Sequence, residues 1–405
     1  MKKSLILAAA CLVAALTQAA PVPSGHWQLG VTVRPSVDNP PQLGNSMYNP
    51  RYFDGEIYAT QISGDAYRCF GRYAAGSRAF LGGAIPPVNE HRMLGRLRGT
   101  GGLNYFLATS GVQSDMATFS PTFTRYDLDY SASNPVAVNS IDNQVVESFD
   151  WVDDNTMIST CYVSGQRKKL YLTDVTANPF ALTKNTTWNG DGYVTTGVST
   201  RIRNVRVGQV YSGYAYYGDA GQNSNPGFYA LDLATGASTL LGNLGTLTGG
   251  GSFGLWTVIE RGGYLYVQTT DNGIQVYNMT DATTLGSLYT TYTKAELDAA
   301  TGIATTDQYY GLDVSADGKK LLLGAAAGNV YELEPAFRLS ISRSGTSVIL
   351  SWPANHTTGV FVQSSADLSI SPADLDPQPA IVVNGGLNTV TLPMGAEPKY
   401  YRLRK

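Results

Sequence analysis

Four side chains of this sequence could take part in proton transfer. Glu147, Asp150 and Glu260 lie in segments rich in β-branched and aromatic residues, and His91 stands between an acid and an arginine. Glycoside hydrolysis requires two carboxyl groups at a defined separation, and the three acids could supply such a pair if their strands line a common channel. A lone histidine is more typical of a structural role. The sequence therefore leaves a glycoside hydrolase or a polysaccharide lyase open without defining a catalytic set.

Patterns for other kinds of chemistry are weaker. Gly250–Gly254 fits G-x-S-x-G, but that motif needs a strand leading into a helix, and a β-rich segment follows here. Asp219, Asn223 and Asn225 offer the oxygen ligands that Ca²⁺ prefers, although their spacing is not that of a calcium loop. Three histidines and no close cysteine pair do not make a zinc site. The sequence predicts no cofactor, with Ca²⁺ as the alternative.

Aromatic, amide and carboxylate residues gather in several long segments between β-rich stretches. Rings stack on the apolar faces of sugars or on peptide side chains, while amides and carboxylates bind hydroxyl and amide groups. Such segments on a rigid scaffold commonly carry function. The predicted ligand-binding residues are Trp188, Asp191, Tyr193, Asp219, Gln222, Asn223 and Tyr292.

The elements that must position these residues form a repeat. A half-apolar segment, a tight polar or glycine turn and a tyrosine-rich segment recur six times, and third and fourth β-rich segments follow in most units. Asp-Gly and Gly-Gly between such segments favour type I′ hairpins. The turns are spaced by 47, 53, 53, 55 and 55 residues, and we anchor them at Gly55, Gly102, Asn155, Gly208, Gly263 and Gly318.

The sixth unit ends at Glu334-Pro335 without a fourth strand, whereas residues 26–33 alternate like a strand ahead of the first unit. A strand supplied from the beginning of the chain would close a ring and remove exposed sheet edges. A row of β-sandwiches would not explain the displaced strand. We therefore expect an all-β chain in which residues 20–335 form a six-bladed β-propeller closed by an N-terminal strand. Its long loops would share one face and its short hairpin turns the other, and residues 294–300 would form a short helix on the long-loop face.

Two segments carry a family resemblance. Residues 228–236 (FYALDLATG) and 312–319 (LDVSADGK) resemble the repeats of quinoprotein-like, YVTN-like bacterial propellers. That resemblance implies a blade rather than a quinone cofactor, since enzymes, sensors and binding proteins share these repeats. From residue 336 the period breaks, and residues 336–405 read as a small fibronectin- or immunoglobulin-like β-sandwich. This tail resembles C-terminal modules of secreted verrucomicrobial-type proteins, which implies a spacing or attachment role.

The beginning of the chain indicates export. Lys2 and Lys3 precede an apolar run and then Thr17-Gln18-Ala19, which predicts a signal peptide over residues 1–19. Without it, 26 basic residues face 31 acidic ones, a net charge of −5 that does not suit nucleic acid. No later segment is apolar enough to span a membrane. Cys69 and Cys161 lie two repeats apart, so we expect reduced, buried thiols rather than a disulfide.

The interpretation that these observations favour is a non-catalytic propeller, secreted or held in the periplasm or at the cell surface. It would bind an extracellular glycan or protein through its long-loop face. The alternative is a secreted carbohydrate-active enzyme that works at the channel mouth.

Overall fold

The computed structural model describes most of the chain. The described residues are 21–34, 46–62, 70–84, 91–98, 104–110, 122–127, 136–139, 142, 146–161, 165–177, 179–220, 226–244, 255–269, 273–326, 328–336, 339–353, 360–367, 369, 371–384, 387–395 and 399–404. The predicted signal peptide and Cys69 lie outside them.

The described chain is built almost entirely of antiparallel sheets, and consecutive strands pair with one another. The first strand is β1 (Trp27–Val33), and sheet 1 after it contains β2 (Ser46–Phe53), β3 (Glu56–Ile62), β4 (Phe70–Tyr73) and β5 (Phe80–Ala84). Sheet 2 contains β6 (His91–Arg98), β7 (Asn104–Ser110), β8 (Thr122–Asp127) and β9 (Val136–Asn139). Sheet 3 contains β10 (Val146–Trp151), β11 (Thr156–Cys161), β12 (Lys169–Ala177) and β13 (Phe180–Lys184), and β14 (Tyr193–Thr195) pairs with β12.

Three further sheets follow the same plan. Sheet 4 contains β15 (Ile202–Val207), β16 (Tyr214–Asp219), β17 (Gly227–Asp232) and β18 (Ser238–Asn243). Sheet 5 contains β19 (Leu255–Arg261), β20 (Tyr264–Thr269), β21 (Gly273–Asp281) and β22 (Thr284–Tyr292), and the helix α1 (Lys294–Thr301) comes next. Sheet 6 contains β23 (Tyr309–Val314), β24 (Leu321–Ala325) and β25 (Val330–Pro335). The helix confirms the prediction for residues 294–300.

The fourth strand of sheet 6 is β1, from the beginning of the chain. It pairs antiparallel with β25, from Trp27 opposite Pro335 to Val33 opposite Val330. The backbone N–H of Ala336 also donates to the carbonyl of His26.

The sheets follow one another around a ring. The first strand of each of sheets 1 to 5 contacts the first strand of the next sheet, and the first strand of sheet 6 contacts that of sheet 1. First strands that meet cyclically are the innermost strands of a radial array, which is the arrangement of a β-propeller. The chain is therefore all-β in character, and its fold is a β-propeller.

A shared irregularity marks the six innermost strands. Each one breaks its register with the second strand of its sheet shortly after it begins. Such bulges bend a strand, increase its twist and redirect the side chains at the break. The breaks lie between Tyr48 and Arg51, His91 and Leu94, Val146 and Phe149, Ile202 and Val205, Leu255 and Thr257, and Tyr309 and Gly311.

Two of the predicted turns show the backbone that their sequence requires. Asp54 and Gly55 have φ of 49° and 79°, and Gly262 and Gly263 have φ of 60° and 80°. Two successive positive φ values define the type I′ turn, whose twist matches that of the strands it joins. These hairpins therefore lie where Asp-Gly and Gly-Gly predicted them.

The core fills the spaces between neighbouring sheets. The largest cluster joins sheets 5 and 6, helix α1 and the N-terminal strand, and includes Val22, Trp27, Tyr292 and Leu297. The rings of Trp27 and Tyr292 meet edge to face, with centroids 5.3 Å apart. The beginning of the described chain is thus packed into the core rather than left at the surface.

Residues after 339 form two smaller sheets around a core of their own, which includes Leu350, Trp352 and Val390. One sheet contains β26 (Ser340–Ser344), β27 (Ser347–Pro353), β30 (Val382–Asn384) and β31 (Leu387–Pro393). The other contains β28 (Phe361–Ser365), β29 (Ala373–Asp374) and β32 (Tyr400–Arg404).

Two further expectations concern single features. Cys161 is a buried thiol, not half of a disulfide, and its Sγ lies 3.9 Å from Oε1 of Gln166. No helix in the described ranges has the length and apolar character needed to cross a bilayer.

Candidate functional site

The buried carboxylate of Glu260 links two hairpin turns through backbone hydrogen bonds. It is fully buried near the end of β19, and its Oε2 accepts the backbone N–H groups of Gln209 and Val210 at 2.6 and 2.8 Å. Its Oε1 accepts the N–H of Gly263 at 2.7 Å. This carboxylate therefore joins the hairpin turn of sheet 4 to that of sheet 5. A side chain with both oxygens so engaged is not placed for proton transfer, and the prediction of a catalytic Glu260 finds no support.

Asp150 has a comparable structural role near the end of β10. Its Oδ1 pairs with Nη1 of Arg51 at 2.8 Å, and its Oδ2 accepts the N–H of Val207 at 2.9 Å. Arg51 also donates from Nη2 to the carbonyl of Phe149. One aspartate thus connects sheets 3, 1 and 4, which accounts for its position without catalysis.

Glu147 lies at the opposite end of the same strand, beside the bulge. Its Oε1 pairs with Nη1 of Arg203 at 3.1 Å, and the Arg203 guanidinium lies 4.0 Å from the ring centre of Trp256. That ring in turn lies 4.9 Å from the ring of Tyr310. These four residues, which we name the bulge belt, come from sheets 3 to 6 and lie near the beginnings of their innermost strands. Glu147 therefore pairs with an arginine at the beginning of a neighbouring strand, whereas Asp150 and Glu260 bind groups near the turns.

The second position of the innermost strands supplies the bulge belt, which the sequence analysis did not identify. Arg203, Trp256 and Tyr310 each follow the first residue of their strand, as Glu147 does. These four residues precede the turn anchors of their units by 8, 5, 7 and 8 positions, so aligning the units on their turns does not place them in one column. The shared position appears only once the beginnings of the strands are known. For His91, the structure describes only the backbone, which pairs with Ser110 in sheet 2.

The predicted ligand-binding patch is not one surface. Trp188 is fully buried, with its indole N–H donating to the carbonyl of Leu233 at 2.9 Å. Tyr292 is also fully buried, and its hydroxyl donates to the carbonyl of Val22 at 2.7 Å. The expectation that these two rings are exposed is wrong, because each fills a space in the core and satisfies its polar atom there.

Asp219 is likewise buried and engaged. Its carboxylate accepts the N–H and hydroxyl of Ser199 and, at 2.8 Å, the hydroxyl of Thr200. It therefore orders the chain ahead of β15 instead of presenting oxygens to Ca²⁺. Gln222, Asn223 and Asn225 lie outside the described residues. Within the described ranges, no three His, Cys, Asp or Glu side chains are grouped so that they could hold a metal ion.

Two residues of the patch remain at the surface. Asp191 is exposed in a turn, and Tyr193 is half-buried in β14. The Lys169 ammonium lies 3.7 Å from the centre of the Tyr193 ring. These two residues keep the prediction of a long-loop binding face open.

A concave site lies on the other face, at the end of the channel where the short turns meet. This cavity, which we name the turn pocket, has a volume of about 630 Å³, within the usual range for ligand sites. Four sheets contribute to it through their hairpin turns and strand ends. Its lining residues are Tyr52, Asp54, Gly55, Ala75, Gly76, Arg78, Gln209, Arg261, Asp313, Val314, Ser315, Ala316, Asp317 and Lys320.

Charged groups of both signs line the turn pocket, and several of them form ion pairs with buried carboxylates. The buried carboxylate of Glu332 receives Nε of Arg78 and Nζ of Lys320, each at 2.6 Å. Asp313 accepts the N–H of Tyr52 at 2.8 Å and faces Nη2 of Arg261 at 3.5 Å. These ion pairs and the hydrogen bond give several charged side chains of the lining defined partners.

Tyr52 is the aromatic residue of the pocket lining. Burial raises the pKa of its phenol well above the ordinary value, and the nearby Glu332 adds to the shift while Arg78 opposes it. The hydroxyl therefore stays protonated, and the Arg78 guanidinium lies 5.8 Å from the ring centre. With its ring beside a guanidinium, Tyr52 is not an open platform for stacking a sugar.

Comparisons with known proteins add little beyond the fold. No protein-family model and no curated protein sequence matches the chain. Among solved structures, the WD40 domain of Neurospora crassa Pan2 aligns with a TM-score of 0.45 and 9% identity, over 78% of this chain and 97% of that one. The Dos1 propeller aligns with a TM-score of 0.44 and 10% identity, over 71% and 68%. Likeness at this level says nothing about a ligand.

Proposed function

We propose that this protein is a non-catalytic binding propeller that takes a segment of a partner protein into the turn pocket. A closed set of six blades, completed by β1, is part of the proposal, and the cyclic contacts of sheets 1 to 6 support it. The observation that carries the binding site is the pocket itself, a concave surface of about 630 Å³ where turns of four sheets meet.

The lining favours a protein segment over a neutral glycan. Sugars are held by exposed rings together with amides and carboxylates, whereas the lining ring of Tyr52 faces a guanidinium. Asp54 and Asp317 are exposed at the rim, and the Lys320 side chain is 40% exposed. Rim charges of both signs select partners and guide association more than they add affinity. A segment carrying charges of both signs would complement this surface.

The enzyme alternative loses support from the positions of its acids. Glu260 and Asp150 hold turns and neighbouring strands, and Glu147 pairs with Arg203. A catalytic carboxyl group must reach the reacting atoms of a substrate. The hydrogen bonds and ion pairs of these three acids do not favour that. Screening polysaccharides for new reducing ends or unsaturated products tests this directly. Turnover that disappears in Glu147→Gln would restore the enzyme interpretation.

The remaining parts of the proposal concern export. We propose that residues 1–19 direct the chain out of the cytoplasm and that the partner is extracellular, periplasmic or at the cell surface. Residues 336–405 would form a β-sandwich module that spaces or attaches the propeller, in line with the two sheets and separate core after residue 339.

The binding experiment compares the two faces. Immobilised wild-type protein is probed with an array of peptides of mixed charge and with a glycan array. The pocket variant carries Asp54→Ala, Asp317→Ala and Lys320→Ala, and the matched face variant carries Asp191→Ala and Tyr193→Ala. We expect peptide binding that falls at least tenfold in the pocket variant and is unchanged in the face variant. Binding that follows the face variant, or binding to glycans alone, would contradict the turn pocket and return the site to the long loops.

A further inference from the structure

The sequences of the innermost strands contain more arginines than acids, although the chain as a whole is acidic. The six innermost strands carry seven arginines and four acids, against a net charge of −3 for the full sequence. The acids are Glu147, Asp150, Glu260 and Asp313, and the arginines are Arg51, Arg92, Arg96, Arg98, Arg203, Arg206 and Arg261. Of these charged side chains, the structure describes four of the arginines and all four acids.

Among the innermost-strand arginines whose side chains the structure describes, Arg206 makes no ion pair. Arg206 is fully buried near the end of β15, and its Nη2 donates to the carbonyl of Leu312, at 3.2 Å, in sheet 6. Sheet 5 lies between sheets 4 and 6 in the ring, so this side chain reaches past the innermost strand of sheet 5. Its Nε and Nη1 are buried and meet no hydrogen-bond acceptor among the described residues.

The acids of the channel wall are engaged elsewhere. Those with an ion pair face Arg51, Arg203 or Arg261, and Glu260 accepts backbone N–H groups. The innermost strand of sheet 2, His91–Arg98, contains no acid in its sequence. The innermost strands therefore offer no further carboxylate to neutralise Arg206.

A second buried donor lies in the same network. Arg51 is 2% exposed, and its Nε has no acceptor among the described residues, although its other nitrogens bind Asp150 and Phe149. Asp150 also accepts the N–H of Val207, the residue after Arg206. Burial lowers the pKa of Arg51, and the charges of Asp150 and Asp313 oppose that shift.

A buried guanidinium is strongly disfavoured unless a negative charge and hydrogen-bond acceptors compensate it. We propose that the axial channel binds a compact anion at Arg206, with Nε and Nη1 as donors. The ligand is a small anion with several acceptor lone pairs, either a free halide or the carboxylate of a molecule that enters through the turn pocket. The site is separate from the peptide contacts of the pocket rim, so each proposal can fail alone.

Bromide is the direct probe. Crystals of the wild-type protein soaked in sodium bromide are measured at the bromine absorption edge, and we expect an anomalous peak within hydrogen-bond distance of Nη1 of Arg206. Chloride NMR line broadening of the protein in solution gives a second reading that needs no variant. We expect excess broadening that bromide and acetate reverse by competition.

The thermal unfolding midpoint is then followed at constant ionic strength as chloride or acetate replaces a bulky sulfonate. We expect a saturable rise for the wild type and for Arg404→Met, whose exposed guanidinium pairs with Asp374 in the C-terminal sheets. Arg206→Met should show no anion dependence. A rise with acetate alone identifies a carboxylate ligand, and a rise with chloride identifies a free anion. A midpoint that ignores every anion, with no bromide peak and no broadening, would overturn the proposal.

Discussion

Replacing Glu260 by glutamine separates a structural carboxylate from a catalytic one. The amide has the same shape, but one of its two ends carries N–H groups. If its oxygen keeps the N–H groups of Gln209 and Val210, its nitrogen must face the N–H of Gly263, and the contact at 2.7 Å becomes donor against donor. The substitution therefore removes at least one charge-assisted hydrogen bond and buries an unsatisfied donor.

The expected cost follows from the strength of such bonds. A hydrogen bond to a charged group contributes about 1.5–3 kcal/mol, and an unsatisfied buried donor costs about 1–3 kcal/mol. We expect Glu260→Gln to lower the free energy of unfolding by about 3 kcal/mol. Urea unfolding followed by tryptophan fluorescence measures the loss, provided that the dependence on denaturant keeps its slope.

The control is Glu334→Gln, because Glu334 is half-buried and accepts one hydrogen bond, from Gln28 at 3.0 Å. We expect that change to cost less than about 1 kcal/mol, because the amide oxygen of glutamine can still accept the bond from Gln28 and the site is partly solvated. If Glu260→Gln costs less than about 0.5 kcal/mol, then the carboxylate does not hold the turns together. A polysaccharide-cleaving activity lost in Glu260→Gln without loss of stability would instead assign it to catalysis.

Three further predictions concern buried aromatic residues. Trp188→Ala should cost about 3–5 kcal/mol in unfolding free energy, since it empties a core site and removes the bond to Leu233, and a stable variant with lost ligand binding would contradict this. Tyr292→Phe should cost about 1 kcal/mol and speed proteolysis near Val22, whose carbonyl loses its donor; unchanged cleavage would argue against this anchor. Burial raises the pKa of Tyr52 and Tyr292 well above 10.0, so the unfolded state releases their protons first and stability should fall as pH rises above about 10. A free energy of unfolding, measured by denaturant titration, that does not fall above about pH 10 would contradict the last prediction.

The sequence predicted the repeat because its turns have strict backbone requirements. Asp54-Gly55 and Gly262-Gly263 adopt positive φ, and only certain residues tolerate that. Residues 26–33 alternate between apolar and polar side chains like a strand, but no adjacent segment of the sequence offers a strand to pair with them. In the structure, this segment pairs with β25. Turn conformation and strand alternation depend on a few adjacent residues, so a sequence pattern can predict them.

The candidate site could not be predicted in the same way. Trp188 and Tyr292 lie in polar segments, yet both rings turn inward, because burial depends on how neighbouring sheets pack rather than on adjacent residues. The turn pocket joins residues from sheets 1, 4, 5 and 6, and its short turns looked unimportant in the sequence. Pairs such as Arg78 with Glu332 are 254 positions apart, which no local pattern reveals.

A cross-link between the two ends of the propeller tests the central claim, that its own N-terminal strand closes the ring. Gln28 and Glu334 are directly opposite in the pairing of β1 with β25, and opposed residues of antiparallel strands are within disulfide range. We expect Gln28→Cys with Glu334→Cys to oxidise in the folded protein, and to raise the free energy of unfolding by up to about 5 kcal/mol because it closes a very long loop. The control pair, Gln28→Cys with Lys184→Cys in sheet 3, should stay reduced. Cysteines at 28 and 334 that stay reactive in the native protein, or join only after unfolding, would contradict the closed ring.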